Sequence, residues 1–326
     1  MEKQNINLAD LAQHFSDEEK ARSFLEKERW PEGAICPHCG ELGRAYRLEP
    51  KDNGKTHVRQ GVWKCGGCRE QFTVMVGTIF EGSHIPLHKW LLATHLLCAS
   101  KKGMSAHQLR RMLGITYKSA WFMAHRIRHA MAQDSFCGKL SGIVEMDETY
   151  IGGKLRCGSQ ITKPGERPKD YLSPVANKEA VVSVLQRGGS VRSYHVERVT
   201  AKNLKPIIKE MVAENAHLMT DTSTVLASVG RKRKHSQVNH NAKEYVRRED
   251  GVCITTNAVE GYFANLKRGI NGVYHHVGKN HLHRYLSEFD FRYNARDVSD
   301  GERTRLAIKG AGGKRLKYAE RSGATL

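Results

Sequence analysis

The chain has no run of about 18 consecutive apolar residues, so a membrane-spanning helix is not expected. Its first residues, Met1 to Asp10, lack the basic segment and apolar core of a secretory leader, which points to a cytoplasmic, reducing setting. Acids are scarce relative to bases: 34 Asp plus Glu face 53 Lys plus Arg, a net charge of +19 over 326 residues. That excess argues against a neutral housekeeping surface. It suggests a polyanionic partner, nucleic acid ahead of anionic membrane. The length leaves room for about two domains with a sizeable core.

Cysteine is sparse, and half of it is patterned. Of eight residues, Cys98, Cys137, Cys157 and Cys253 are scattered, while Cys36, Cys39, Cys65 and Cys68 form the pattern C-x2-C-x25-C-x2-C. Each pair sits in a knuckle containing Gly or Pro, so two thiolates can point inward. Two such knuckles make a tetrahedral four-thiolate site, the closed geometry of structural zinc. Redox cysteines are the alternative, but they do not come as two pairs on β-ribbons. His38 and His57 are spare ligand candidates that read more simply as surface residues. Gln71–Phe80 reads as the closing strand of a zinc ribbon, a module that depends on its metal for folding. Before it, residues 1–30 read as two short helices.

From Pro86 to Gln133 the apolar spacing is helical. Ser105 to Gly114 is a short helix with a Ser cap and a Gly stop. The turn Ile115–Lys118 leads into a basic helix, Ser119 to Met131, carrying Arg126, Arg128 and His129. Helix, short turn, basic helix is the helix-turn-helix pattern, against a plain helical hairpin.

From about Ser141 the order is strand, strand, strand, helix, strand, helix. The first strand runs from Ile143 to Asp147, closing an otherwise apolar run on a carboxylate. An isolated buried Asp is costly unless a cation neutralises it. Ala180–Leu185 is apolar throughout, hence buried on both faces. It turns through Gly188-Gly189 into Val191–Val199 as an antiparallel hairpin. His217–Asp221 is a further strand closing on an Asp, and Arg231-Lys232-Arg233-Lys234 leads to a weak strand near Ser236–Asn239. A helix starting at Thr256-Asn257 buries Val259, Phe263, Leu266 and Ile270, and sets Asn257, Glu260 and Lys267 on a second face. Another helix runs from His281 to about Asn294.

If the first and fourth strands are neighbours, Asp147 and Asp221 meet at one rim, and a helix crossing it can present Glu260. Three acids together repel unless cations neutralise them. Two Mg2+ (or Mn2+) ions would do so and would serve phosphoryl transfer. Each acid also has a plain alternative: Asp221 as a helix cap, Asn257-x-x-Glu260 as a capping box, Lys267 as a solvated base. Glu145 and Glu148 are rivals for the position of Asp147.

These residues carry a resemblance. Cys36-Pro37-His38-Cys39, Trp63-Lys64-Cys65-Gly66-Gly67-Cys68, Val144-Glu145-Met146-Asp147-Glu148-Thr149-Tyr150-Ile151-Gly152-Gly153, Asn257-Ala258-Val259-Glu260-Gly261-Tyr262-Phe263 with Leu266-Lys267-Arg268-Gly269, Tyr274-His275-His276-Val277, and His281 to Asn294 together resemble the zinc-ribbon DDE insertion-sequence transposases of the ISXO-like group. The likeness spans about residues 8 to 296. It implies a ribonuclease-H-like mixed sheet with flanking helices. It implies metal-dependent DNA cleavage and strand transfer, with Asp147, Asp221 and Glu260 (or Asn257) at the metals and Lys267 on the DNA backbone. Its partners would be element ends and target DNA, held by at least a dimer. A ribonuclease-H-like nuclease or resolvase, and a non-catalytic zinc-ribbon regulator, are the alternatives. The expected division is N-terminal helices over 1–33, zinc ribbon over 34–85, helical DNA-binding module over 86–138, ribonuclease-H-like domain over 139–296 and basic tail over 297–326.

Overall fold

The computed structural model describes residues 15–52, 57–132, 138–153, 178–231 and 233–317. The expected helix before Phe15 and the loop Gly158–Asn177 fall outside them. The chain divides into two units, Met1–Ala132 with Ala295–Leu326, and Gln133–Asn294. No helix among the described residues is long and apolar enough to cross a membrane.

In the first unit, α1 (Glu18–Arg29) starts on Asp17, whose carboxylate accepts from the Lys20 amide at 2.8 Å. Three short antiparallel strands follow, β1 (Ala45–Arg47), β2 (Trp63–Cys65) and β3 (Gln71–Phe72), in spatial order. Trp30 meets both Trp63 and Phe72 edge-on at 5.8 Å between centroids. The closing strand expected over Gln71–Phe80 stops at Phe72. Beyond it the chain folds into turns, and Gly77 takes a φ of +71° that only Gly adopts freely.

Next come α2 (Leu87–Ala99), α3 (Ala106–Leu113) and α4 (Tyr117–Met131). Ser105 caps α3, and Gly114 ends it in the left-handed region. The helix-turn-helix spacing is present, but Arg126 and Arg128 do not face outward as a basic helix implies; both are buried. The Arg126 guanidinium lies 5.2 Å from the Trp90 ring centroid and donates to the Glu81 carbonyl at 2.6 Å. Its stem fills apolar space, so it serves packing rather than an external partner. Arg110, Arg111 and Lys118, where the two helices meet, are exposed instead.

The second unit contains β4 (Ile143–Ile151), β5 (Glu179–Gln186), β6 (Val191–Val196), α5 (Ala201–Met211), β7 (His217–Asp221), α6 (Thr224–Gly230), β8 (His235–Val238), β9 (Arg247–Glu249), β10 (Val252–Ile254), α7 (Asn257–Gly269) and α8 (Leu282–Asn294). Its main sheet has the order β8-β7-β4-β5-β6. The pairs β4–β5 and β5–β6 are antiparallel, whereas β4–β7 and β7–β8 are parallel. This is the mixed sheet of the ribonuclease-H-like fold, with helices on both faces. Ala180, Val182 and Val184 of β5 join Leu204, Ile208 and Leu226 from α5 and α6 in one core. Val181 and Leu185 join Val259, Phe263, Leu286 and Phe289 from α7 and α8 in the other. The unbroken apolar run of β5 is therefore buried on both faces, as its sequence implies.

The basic tail expected over 297–326 is in part a helix, α9 (Asp300–Lys309), grouped with the first unit. Gly301, Thr304, Ala307 and Ile308 are its buried stripe, at helical spacing. Arg303 in this segment is engaged within the first unit. Arg303 donates to the carbonyls of Ala295, Val298 and Cys98 and pairs with Asp300 at 2.7 Å. Charge and glycine content masked a short amphipathic helix. Directly after it, a Cβ on Gly310 would lie 2.5 Å from the Ala130 carbonyl oxygen. Gly310→Ala should therefore destabilise the protein by about 1–3 kcal/mol, read as a lowered Tm; an unchanged Tm would show that this turn does not pack against the end of α4.

Candidate active site

The pairing of β4 with β7 runs from Ile143↔His217 to Glu145↔Met219 and stops there. Continued in step, it would set Asp147 opposite Asp221. Meanwhile β4 stays paired with β5 as far as Ile151, and β7 stays paired with β8 as far as Asp221↔Val238. The sheet thus opens between its two middle strands, and an acid stands on each side of the opening. Asp147 does not end its strand, as the sequence suggested; it lies within β4, two residues beyond the last pair with β7 and still paired with Ser183 of β5.

Side chains alternate along a strand, so Asp147 shares the face of Glu145. That face packs on α7. Glu145 is fully buried. One of its oxygens accepts from Arg187 Nε at 2.9 Å and Nη2 at 2.8 Å. The other accepts the amides of Ala258 at 2.8 Å and Val259 at 3.1 Å, in the first turn of α7. Arg187 also donates to the carbonyls of Cys253 at 2.8 Å and Thr255 at 3.2 Å. A carboxylate of β4 therefore supplies the cap that the helix lacks, since Thr256 at the N-cap makes no side-chain cap bond. With four bonds accepted, Glu145 has no lone pair left for an ion.

Glu260 lies in this first turn. Its Oε1 accepts from the Thr256 hydroxyl at 2.8 Å and lies 3.2 Å from His240 Nε2. The capping-box alternative fails, because the Asn257 amide donates to Thr255 Oγ1 at 3.2 Å rather than to Glu260. Asp221 does take part in a turn, accepting the Ser223 amide at 3.0 Å just before α6. Lys267 is exposed in the last turn of α7, seven residues beyond Glu260. That places it on the same face, about 10 Å along the axis.

Asp147 feels the charges of Asp221 and Glu260, although no three carboxylates among the described residues come within 4.8 Å of one another. Burial pushes the Asp147 carboxyl up, the Glu148 amide opposes, and Asp221 and Glu260 push it further, to about 6. Burial, then Asp147 and Asp221, push Glu148 up to about 7. One oxygen of Glu148 is buried without a hydrogen-bond partner among the described residues. Mutually repelling carboxyls are hard, all-oxygen donors, which suit a divalent cation.

The cysteines form a tighter cluster. The sulfurs of Cys36, Cys39, Cys65 and Cys68 all lie within 4.8 Å of one another, the only such metal-ligand group of three or more among the described residues. Cys36 and Cys68 are 3.6 Å apart, and Cys39 and Cys65 are 3.7 Å apart. The two knuckles repeat one geometry: the Gly40 amide donates to the Cys36 carbonyl, and the Arg69 amide to that of Cys65. Although the Glu70 amide pulls the Cys68 thiol down, burial and the three other sulfurs push it up to about 12. Four crowded thiols of this kind fit structural zinc.

Sequence reasoning passed over Arg187, Thr256 and His240. Arg187 follows an apolar strand at a Gly-Gly turn, and His240 lies in a polar loop, so neither stands out by periodicity or spacing.

Comparison with known proteins places both parts of the chain in known domains. Residues 139–294 match the ISXO2-like transposase domain, and residues 16–71 match the transposase zinc-ribbon domain. A relative named "Uncharacterized protein in transposable element ISH50", from Halobacterium salinarum (strain ATCC 700922 / JCM 11081 / NRC-1), is 25% identical over 289 residues, covering 85% of this chain and 91% of its own length. Among solved structures, the Mos1 strand transfer complex matches at 11% identity over 61% of this chain and 74% of its own, with a TM-score of 0.19. A Mos1 transposase paired-end complex with left transposon end matches at 12% identity over 61% and 75%, also with a TM-score of 0.19. The fold assignment rests on strand order and the matched domains, not on those two. The matched domains, with the ribonuclease-H-like unit and the cysteine quartet, define the class of DNA-cutting and DNA-transferring enzymes with a zinc ribbon. Within it, the chain belongs to the ISXO2-like insertion-sequence transposases.

Removing the carboxylate of Glu145 would leave Arg187 and two α7 amides without their acceptor. Glu145→Ala should cost about 3–5 kcal/mol, measured by chemical denaturation. A loss below about 1 kcal/mol would contradict the capping role.

Proposed function

We propose that the chain cuts DNA at the ends of an insertion sequence and joins those ends to new DNA, with Asp147, Asp221 and Glu260 as the ligands of two Mg2+ or Mn2+ ions. The observation that carries this reading is the register: Asp147 and Asp221 flank one opening in the sheet, and the Glu145 clamp brings the first turn of α7, with Glu260, to the same face. The acids stand too far apart to crowd around a single ion as the cysteines do, and a pair of ions calls for a wider set of ligands. When bound, such ions neutralise the acids and stabilise charge on the attacking and leaving oxygens.

The chain's own residues position the reaction. Thr256 and His240 fix one oxygen of Glu260. Glu260 is preferred to Asn257 because a carboxylate neutralises a divalent cation and an amide does not. Lys267, about 10 Å along α7, offers a cation to the backbone of the strand being cut. Water attacks the phosphodiester at the element end, the P–O3′ bond breaks, and a 3′-hydroxyl is freed. That hydroxyl attacks a phosphodiester of target DNA, forming a new P–O bond as the target's 3′-oxygen leaves. No covalent enzyme intermediate is needed, so positioning and charge carry the catalysis.

Binding is shared with the first unit. Cys36, Cys39, Cys65 and Cys68 hold zinc, and the exposed Arg110, Arg111 and Lys118 of the helix-turn-helix contact DNA phosphates. Two element ends must be held together, which calls for at least a dimer on DNA.

Asp147→Asn, Asp221→Asn and Glu260→Gln should each reduce cleavage of an element-end duplex, and joining of a pre-cut end, by at least about 100-fold, while DNA affinity is kept. Joining of pre-cut ends by the wild type separates a transposase from a nuclease that only cuts. Cleavage untouched by these substitutions would rule out the three acids as the centre.

A further inference from the structure

The second unit carries another charged feature, away from its acids. A concavity of about 700 Å³ is lined by Lys205, Lys209, Arg231 and Arg233, with Glu214 as the one acid in its wall. Lys205 and Lys209 lie one turn apart on α5, above the buried Leu204 and Ile208. Arg231 follows the end of α6. The turn there is tight: a Cβ on Gly230 would come within 2.1 Å of the His235 ring. Arg233 is held in place, its Nη1 donating to the carbonyls of Ala213 at 2.8 Å and Val212 at 3.3 Å.

Folding does not account for this grouping. Lys205, Lys209 and Arg231 are exposed, and among the described residues none of the three has an ion-pair partner. Like charges at i, i+4 on a helix are mildly destabilising. Four cations around one hollow call for an anionic ligand with several charges.

The place is distinct from the acid centre. Helices α5 and α6 cover one face of the sheet, and α7 with Glu260 covers the other. Arg233 precedes β8, whose His235 stands opposite Leu218, three residues before Asp221. That is about 10 Å along the strand. Nor does the hollow suit a membrane surface, which favours an apolar anchor beside the cations. None of the exposed large hydrophobic residues lines it.

We propose that this concavity binds the phosphodiester backbone of a DNA segment other than the one held at Asp147, Asp221 and Glu260. Lys205, Lys209 and Arg231 supply mobile cations, Arg233 a fixed one, and Glu214 limits affinity for any single stretch. The proposal rests on the DNA-transfer reading above, in which two DNA segments must be engaged.

The test uses the full chain and a duplex oligonucleotide of arbitrary sequence, with affinity measured across a salt series. The wild type should show a steep fall of log K with log salt. The triple variant Lys205→Ala, Lys209→Ala, Arg231→Ala should lower that slope by about 2–3 with Tm unchanged. Glu214→Gln should raise affinity, and gives the answer even if the triple variant folds poorly. Slopes and affinities equal to wild type in both variants overturn the proposal alone. A wild type that binds no duplex at any salt overturns the DNA reading itself, and this proposal with it. Binding to phosphatidylserine vesicles that the triple variant loses, with an unchanged DNA slope, assigns the hollow to a membrane and overturns it too.

Discussion

A buried carboxylate that serves two masters organises the catalytic unit. Glu145 ties Arg187 with one oxygen and the first turn of α7 with the other. Charge-assisted bonds of this kind are short and directional, and in an apolar interior they fix geometry strongly. Arg187 extends the tie to the carbonyls of Cys253 and Thr255, so the chain entering α7 is held to the sheet from both sides. Without it, Glu260 would ride on a helix fixed only by its apolar stripe, which sets depth but leaves sliding along the sheet less constrained. The pair ties the helix that carries Glu260 to the strand that carries Asp147.

The other requirement is that the sheet open at the right point. Hydrogen bonds between β4 and β7 end at Glu145↔Met219, while each strand keeps its outer neighbour. Asp147 and Asp221 therefore stand on rigid strands beside a gap, rather than on loops. Burial and mutual repulsion raise Asp147 and Glu148, a strain that a nearby cation would relieve. The cysteine quartet solves the same problem of crowded anionic ligands with softer atoms and a closed geometry.

Much of this was legible in the sequence because it is written in spacing. The paired C-x-x-C knuckles, the apolar run of β5, the Asp-bearing strands and the face shared by Glu260 and Lys267 all follow local periodicity. Partnership is what spacing does not carry. Glu145 and Asp147 look alike two residues apart on one strand, and only the fold shows that Glu145 is consumed by Arg187 and α7. Arg126 and Arg128 read as a surface charge, yet both are buried, and the Arg126 guanidinium is spent on the Trp90 ring rather than on a phosphate. The α9 helix was hidden by its own charge, and the bonds of Arg303 to the carbonyls of Ala295 and Cys98 leave no trace in composition. His240 lies in a loop, where no repeat announces a contact with Glu260.

The claim on which the account turns is that Asp147, Asp221 and Glu260 form one ion-binding centre. Mn2+ binding followed by electron paramagnetic resonance, on the zinc-loaded full chain with an element-end duplex, addresses it directly. The account predicts two spin-coupled ions per chain in the wild type, with coupling lost in Asp147→Asn, Asp221→Asn and Glu260→Gln alike. Uncoupled Mn2+ in the wild type, or coupling that survives any one of these substitutions, would contradict it.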